Sequence, residues 1–170
     1  MKKFVVYFLV LILSAGISIY GNASSTPVSR LRCIEFIIYH SSINIEEADT
    51  TILKQYIDTN KLSEDDKMIV SLALQYNIIK GYEDNTFRPD KYITRAEAMT
   101  LINRVLKREP EYTSDLLNDM KKWPDNNDIN SWHYIAIQEA TNSHTYVKKN
   151  EVHEKWIEIT GSIDWTVYEK

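Results

Sequence analysis

The residues best suited to binding a charged ligand lie in one stretch, GYEDNTFRPDKYITRAEA, which runs from Gly81 to Ala98. Near its end, Arg95 follows Thr94 in the first turn of the helix that the next residues predict. The helix dipole disfavours a cation at this end, and neither capping nor core packing requires one. A guanidinium beside free backbone N–H groups can hold a carboxylate through two donors. The stretch therefore predicts an anion site at Arg95.

A structural explanation competes with binding at most positions of the stretch. Thr94 and Glu97 have the T-x-x-E spacing of a capping box, which by itself accounts for both residues. Asp84 lies in a D-N-T sequence typical of a turn, and Tyr82 is suited to anchoring the loop on the helices. For Arg95, and for Arg30 at the equivalent place in the first unit, the alternative is a salt bridge to a carboxylate of a neighbouring unit.

The remaining chemistry-bearing residues have no catalytic arrangement. No ligand spacing such as HExxH connects the four histidines, His40, His133, His144 and His153. The single cysteine, Cys33, excludes an intramolecular disulfide and has no catalytic partner nearby in the sequence. The DNNDIN segment lacks the glycine and the terminal glutamate of a calcium loop, and only four glycines are present. We expect no enzyme activity, no cofactor and no metal site.

The elements that position Arg95 belong to an internal repeat. VSRLRCIEFIIY, from Val28, aligns with ITRAEAMTLINR, from Ile93, at an offset of 65 residues, which makes Arg30 the equivalent of Arg95. The segments that begin YID at Tyr56 and WPD at Trp123 align at an offset of 67. The chain therefore divides into the second half of one unit, a complete unit, the first half of a third and a tail: residues 24–50, 51–110, 111–145 and 146–170.

Periodicity predicts a mainly helical fold. In the complete unit, a helix from Ser63 to Tyr76 is capped by Ser63 and stopped by Asn77 in a left-handed conformation. A second helix runs from Arg95 to Lys107, and the third unit contributes one from Ser131 to Asn142. Alternation in residues 154–160 and again in 163–167 predicts a small β-hairpin at the C-terminus.

With its repeat and loop in place, the segment from about Tyr56 to Leu106 resembles an S-layer homology domain. Its loop residues and second helix start match together at fixed spacing: Tyr56, Asp58, Ile78, Ile79, Lys80, Gly81, Tyr82, Asp84, Thr86, Phe87, Arg88, Pro89, Ile93, Thr94, Arg95, Ala96, Glu97 and Ala98. The resemblance implies helical units arranged as a three-sided spindle. It also implies that grooves between units bind secondary cell-wall polysaccharides carrying ketal-linked pyruvate, and that the TRAE arginine contacts the polymer.

Carried over residue by residue, the resemblance gives a candidate glycan-binding set: Arg95, Arg30, Gly81, Tyr82, Asp84, Thr94, Glu97 and Trp132. For Trp132 the sequence favours a role as a core or inter-unit packing residue over sugar stacking. The sequence departs from the family pattern at Asp65, which replaces a tryptophan, at Asn85, which replaces a glycine, and at Arg32, which replaces the capping glutamate of the first unit.

Location and charge complete the expectation. Two lysines, an apolar run from Phe4 to about Tyr20, and the small residues that follow predict a secretory leader over residues 1–23. An uncleaved leader would instead tether the protein to the membrane. The remaining chain has 18 basic and 24 acidic residues, a net charge of −6, which argues against nucleic acid as a partner.

Two functions follow from these observations. The first is a secreted, non-catalytic module that anchors to the cell wall by binding the pyruvylated secondary polysaccharide. The second is an exported scaffold whose degenerate repeats no longer bind glycan and whose half units are completed by self-association. The incomplete units and Arg32 motivate the second hypothesis.

Overall fold

The computed structural model describes residues 27–161. This part of the chain contains four α-helices: α1 (Arg30–Tyr39), α2 (Glu64–Gln75), α3 (Arg95–Leu106) and α4 (Tyr134–Thr141). Three short 3-10 helices occur at Ile45–Glu47, Thr50–Gln55 and Thr113–Asp115. The three strands are β1 (Glu109–Pro110), β2 (Ser143–Lys148) and β3 (His153–Gly161). The expectation of a mainly helical fold with a C-terminal β element is confirmed.

The predicted leader lies outside the described residues. Within residues 27–161, no helix has the length and apolar character needed to cross a bilayer.

Helix α2 and helix α3 begin where their capping residues predict. The Ser63 hydroxyl accepts from the backbone N–H of Asp66 at 3.1 Å. At α3, the Thr94 hydroxyl accepts from the Glu97 N–H at 3.2 Å, and the Glu97 carboxylate accepts from the Thr94 N–H at 2.9 Å. Asn77, with φ of 54°, adopts the predicted left-handed conformation after α2. The capping box and the helix stop are confirmed.

The chain forms two compact units that divide between Ile93 and Thr94. In the first, Pro27–Ile93, helix α1 packs on α2 through fully buried aliphatic side chains that include Ile34, Val70 and Leu72. The division between the two compact units falls inside the predicted complete repeat at residues 51–110. Each compact unit therefore contains the end of one predicted repeat and the start of the next. The repeat boundaries therefore remain a prediction.

The second unit begins at Thr94 and is described to Gly161. Here α3 packs on α4, and the side-chain amide of Asn103 donates to the carbonyl oxygen of Ala136 at 2.9 Å. Strand β3 is central in the sheet, with β1 parallel on one side and β2 antiparallel on the other. Helix α4 is shorter than the predicted Ser131 to Asn142, because residues before Tyr134 form turns instead.

The first strand of the predicted hairpin is confirmed. Residues 154–160 do lie in a strand, β3, but its antiparallel partner is β2, which precedes it. The predicted partner, residues 163–167, lies outside the described residues. The structural reason is that α4 ends at Thr141, which leaves Ser143–Lys148 free to extend and pair with β3 across a short connection.

The loop after α2 is held by an aspartate and a glycine. The Asp58 carboxylate accepts from the backbone N–H groups of Phe87 and Arg88 at 2.8 and 2.7 Å. Phe87 is fully buried. Gly81 lies against the Tyr56 ring so closely that a Cβ atom there would be 2.0 Å from Cε1 of Tyr56. Gly81 therefore has a packing role whatever its part in binding.

Asp84 stabilises the tip of the same loop. Its carboxylate accepts from the Thr86 N–H at 3.1 Å and from Nη2 of Arg88 at 2.7 Å. The hydrogen bond from the Thr86 hydroxyl, followed by that from Arg88, lowers the pKa of Asp84 from 3.8 to about 2. Asn85 takes φ of 58°, which explains how asparagine replaces the family's glycine in this turn.

We predict that Gly81→Ala destabilises the first unit by about 1–3 kcal/mol, because the added methyl overlaps the Tyr56 ring. Chemical denaturation of the two chains measures the difference. In a Tyr56→Leu background the same glycine substitution should cost much less, since the ring atoms are gone. An equal cost in both backgrounds would contradict the packing role.

Asp84 makes stability depend on pH in acid. Because the pKa of Asp84 is lower in the folded state, its contribution is complete above about pH 5 and is lost as pH falls towards 2. The difference in Tm between the natural chain and Asp84→Asn should therefore shrink to zero over that interval. Asp90→Asn, which alters an exposed carboxylate nearby, is the control. A difference that stays constant down to pH 2 would show that the carboxylate's charge has no role.

Candidate functional site

Arg95 is the first residue of α3, and its side chain is only 9% exposed. Its Nη1 donates to the carboxylate of Asp125. Its guanidinium carbon lies 5.3 Å from the centre of the Trp123 ring, within cation–π range. Arg95 therefore forms the ion pair that the alternative expects, with a carboxylate of the predicted third unit. The ion pair and the ring together fix the position of the guanidinium.

The ion pair leaves half of the guanidinium unused. Within residues 27–161, Nε and Nη2 of Arg95 are buried and have no hydrogen-bond partner. These two nitrogens form one edge of the planar group, and their N–H bonds are parallel. Leaving a buried donor unpaired costs about 1–3 kcal/mol or more for a charged group. A carboxylate with two oxygens would satisfy both donors at once.

Arg30, the equivalent of Arg95 in the repeat alignment, is the first residue of α1. The same edge of its guanidinium donates to backbone carbonyl oxygens of its own unit. Its Nε donates to the carbonyl oxygen of Phe87 at 3.1 Å, and its Nη2 donates to that of Lys80 at 3.1 Å. Both acceptors belong to the loop that follows α2. In the second unit, strand β2 follows α4 in place of that loop. This difference explains why the two arginines differ in what they contact.

The structure distributes the predicted glycan-binding residues between the two units. The first unit contains Arg30, Gly81, Tyr82 and Asp84, and the second contains Thr94, Arg95, Glu97 and Trp132. In the first unit, the Tyr82 ring lies 4.8 Å from the Arg30 guanidinium carbon, 4.0 Å from that of Arg88 and 5.1 Å from Nζ of Lys91. The Tyr82 hydroxyl also accepts from Lys91 at 3.0 Å. Tyr82 is thus surrounded by cations.

Trp132 is 68% exposed, so the expectation that it packs in a core is wrong for its own unit. It precedes α4, and its ring meets the His133 ring edge-on at a centroid distance of 5.1 Å. Its placement before the first turn of α4, rather than on the helix's buried face, keeps the indole in solvent. An exposed indole offers a flat apolar surface, which suits the face of a sugar ring.

Trp123 and Asp125 were missed as site residues by the sequence reasoning. Trp123 is 2% exposed, and its Nε1 donates to the Thr141 hydroxyl at 2.8 Å. The available signal was the aromatic-x-Asp pattern, which places these two residues opposite Tyr56 and Asp58 in the repeat alignment. The pattern indicates equivalent positions but not that one aspartate binds backbone N–H groups and the other an arginine.

The sequence of this region is similar to parts of known proteins. Residues 69–99 match the S-layer homology domain family. The chain is 37% identical over 81 residues to Cell surface glycoprotein 1 of Acetivibrio thermocellus, covering 48% of this chain and 3% of that protein. It is 41% identical over 68 residues to the Cellulosome-anchoring protein of the same organism, covering 40% of this chain and 14% of that protein. No solved structure matches the chain.

The matched residues include the second half of α2, the loop with Gly81 and Phe87, and the capping box with Arg95. The chain covers only a small part of either relative's length. The resemblance inferred from the loop and helix start is confirmed over residues 69–99, which match the S-layer homology domain.

Proposed function

We propose that this protein is a non-catalytic module that binds an anionic cell-wall polysaccharide and thereby anchors itself to the cell envelope. The S-layer homology segment supports this function. So do the relatives, one described as a cell surface glycoprotein and the other as an anchoring protein. The localisation that follows is the cell surface.

The observation that carries the proposal is the unpartnered edge of Arg95. Its Nε and Nη2 are buried, charged and parallel, while Asp125 and Trp123 hold the rest of the group in place. A pyruvyl ketal presents a carboxylate on the outside of a sugar polymer, and this carboxylate forms a bidentate pair with the Arg95 edge once the side chains that cover the edge move aside. Because the arginine is already positioned, little side-chain entropy is lost on binding.

Aromatic and loop residues complete the proposed recognition. In the second unit, Trp132 supplies an exposed face on which a sugar ring stacks. In the first unit, Tyr82 and its surrounding cations form a second surface for an anionic polymer, shaped by Gly81 and Asp84. Arg30 supports this surface through the loop carbonyls, so its own role is to hold Tyr82 in place. Thr94 and Glu97 act indirectly by fixing the start of α3.

We predict that Arg95→Gln weakens binding to native cell-wall sacculi by about tenfold to a hundredfold, since one bidentate charged pair is lost. Arg95→Lys should bind nearly as weakly as Arg95→Gln, because lysine keeps the positive charge but lacks the two parallel N–H donors of the guanidinium edge. Co-sedimentation of the purified chain with sacculi measures the affinity. Arg104→Gln, which removes a cation from the other end of α3, is the matched control.

Two further arms identify the ligand. Sacculi stripped of secondary polymer should bind neither the natural chain nor the variants. Sacculi whose pyruvyl ketals have been removed by mild acid should bind the natural chain only as weakly as native sacculi bind Arg95→Gln. Equal binding of the natural chain and a folded Arg95→Gln variant to native walls would overturn the site. A folded chain that binds no wall but forms a stable oligomer would favour the self-associating scaffold instead.

Trp132→Ala should weaken wall binding several-fold while changing the free energy of unfolding by less than about 0.5 kcal/mol, because the indole is exposed. Ile129→Ala is the control, since Ile129 is also exposed but cannot stack on a sugar. Circular dichroism melting and co-sedimentation give the two quantities. Loss of stability in Trp132→Ala, or unchanged binding, would contradict the stacking role.

A further inference from the structure

A buried polar cluster in the second unit has no part in the proposed anchoring site. It consists of Glu139 on α4, His144 on β2 and Glu154 on β3, with side chains that are 3%, 1% and 0% exposed. The Trp156 ring stacks on the His144 ring at a centroid distance of 4.0 Å and covers one side. Three separate elements therefore bring two carboxylates and an imidazole to one point inside the protein.

The hydrogen bond at Nδ1 determines which imidazole nitrogen faces the carboxylates as an acceptor. Nδ1 of His144 lies 2.8 Å from the carbonyl oxygen of Asn142, which can only accept, so Nδ1 carries the proton. Nε2 lies 3.1 Å from Oε1 of Glu154 and 3.3 Å from Oε2 of Glu139. In a neutral imidazole all three of these atoms are acceptors. Their convergence needs a cation or a proton, and Arg108 supplies part of that charge, because its Nη2 lies 3.0 Å from Nε2 of His144 and 3.0 Å from Oε1 of Glu139.

The spacing suits a metal ion. Zinc binds imidazole nitrogen and carboxylate oxygen at about 2.0–2.2 Å with tetrahedral angles, so its ligand atoms lie about 3.3–3.5 Å apart. The two printed separations from Nε2, 3.1 and 3.3 Å, are close to that value. All three ligand atoms lie within 4.8 Å of one another. Small rotations of the two carboxylates would therefore bring all three atoms to zinc-binding distance of one point.

The groups around the three residues resemble the outer shell of a metal site. Arg108 contacts the oxygens that face away from Nε2, because its Nη2 is 3.0 Å from Oε1 of Glu139 and its Nε is 3.3 Å from Oε2 of Glu154. Its Nη2 also lies 3.4 Å from the inward-facing Oε1 of Glu154. The Trp156 indole N–H donates to Oε2 of Glu139 at 2.7 Å. Together with the Asn142 carbonyl on Nδ1, these contacts orient every ligand, as outer-shell partners of metal sites do.

Arg108 also competes for the centre of the cluster, because its Nη2 lies 3.0 Å from Nε2 of His144. Lys148 adds a second cation, because its Nζ lies 3.6 Å from Oε2 of Glu154. A metal ion at the centre therefore requires the Arg108 nitrogen to leave Nε2 of His144.

We propose that Glu139, His144 and Glu154 bind one divalent metal ion of the zinc class. The nitrogen ligand and the small ligand number favour zinc over calcium or magnesium, which require more oxygen ligands. On binding, the Arg108 side chain moves away from Nε2 and keeps its contacts with the outward-facing oxygens. The ion joins α4 to both long strands and therefore stabilises the C-terminal unit. No ligand spacing along the chain indicates this site, because the ligands come from three separate elements.

The test uses the full purified chain, stripped of metal with EDTA and dialysed. Zinc added at neutral pH should bind at one ion per chain and raise Tm by several degrees, whereas calcium and magnesium should not. Cobalt(II) should bind competitively and give the intense visible absorption of a tetrahedral complex. The cobalt spectrum needs no variant, so it remains informative if substitution in this buried cluster prevents folding.

Glu154→Gln and His144→Gln should abolish zinc binding, and His153→Gln, which changes a neighbouring histidine of β3, should not. A folded natural chain that binds no zinc, or a folded Glu154→Gln variant that binds it as tightly as before, would overturn the metal site. The cluster would then be an ion network closed by Arg108 and a proton.

Discussion

The need to compensate a buried guanidinium at the start of α3 governs the arrangement of the second unit. Arg95 lies where the helix dipole is unfavourable to a cation, and its side chain is almost fully buried. Asp125 neutralises the charge, and Trp123 provides a polarisable face. Neither of them reaches Nε and Nη2. The unit therefore holds a charged edge in a fixed direction, which is the property that a receptor for an anion requires.

The two units show how one motif supports two roles. The first helix of each unit is capped by a hydroxyl residue and starts with an arginine, and it packs on the second helix of that unit. After α2 a loop folds back and supplies carbonyl oxygens to Arg30. After α4 the chain continues as β2, which supplies none to Arg95 and instead contributes His144 to a buried cluster. Replacing a loop by a strand leaves one arginine edge unpartnered and creates the proposed metal site.

Local chemistry made much of the fold predictable. Capping at Ser63 and Thr94 and the left-handed Asn77 depend on neighbours within four residues, so the sequence pattern was sufficient. The pairing partner of β3 could not be predicted in the same way, because alternation identifies a strand but not the strand with which it pairs. The exposure of Trp132 likewise depends on where α4 begins, which turn residues before Tyr134 decide.

The sequence allowed some residues of the candidate site to be predicted, but not the residues that contact them. Arg95 was identified because a cation at a helix start has no local explanation, whereas Asp125 is 30 residues away in sequence and is brought to it only by the packing of the unit. The resemblance of the loop to a known family indicated Gly81 as a binding residue, but its contact with Tyr56 gives it a packing role that spacing does not reveal. Long-range contacts account for most of what the sequence left open.

The central claim is that the free edge of Arg95 binds a carboxylate, and the side-chain Nε–H signal of this residue reports on it directly. We would titrate the nitrogen-15-labelled chain with a pyruvylated disaccharide and with the same disaccharide lacking the ketal, and follow that signal by NMR. The account predicts a large downfield shift and slowed proton exchange with the pyruvylated sugar only. An unperturbed Arg95 signal, with shifts confined to other residues or with equal shifts for both sugars, would contradict it.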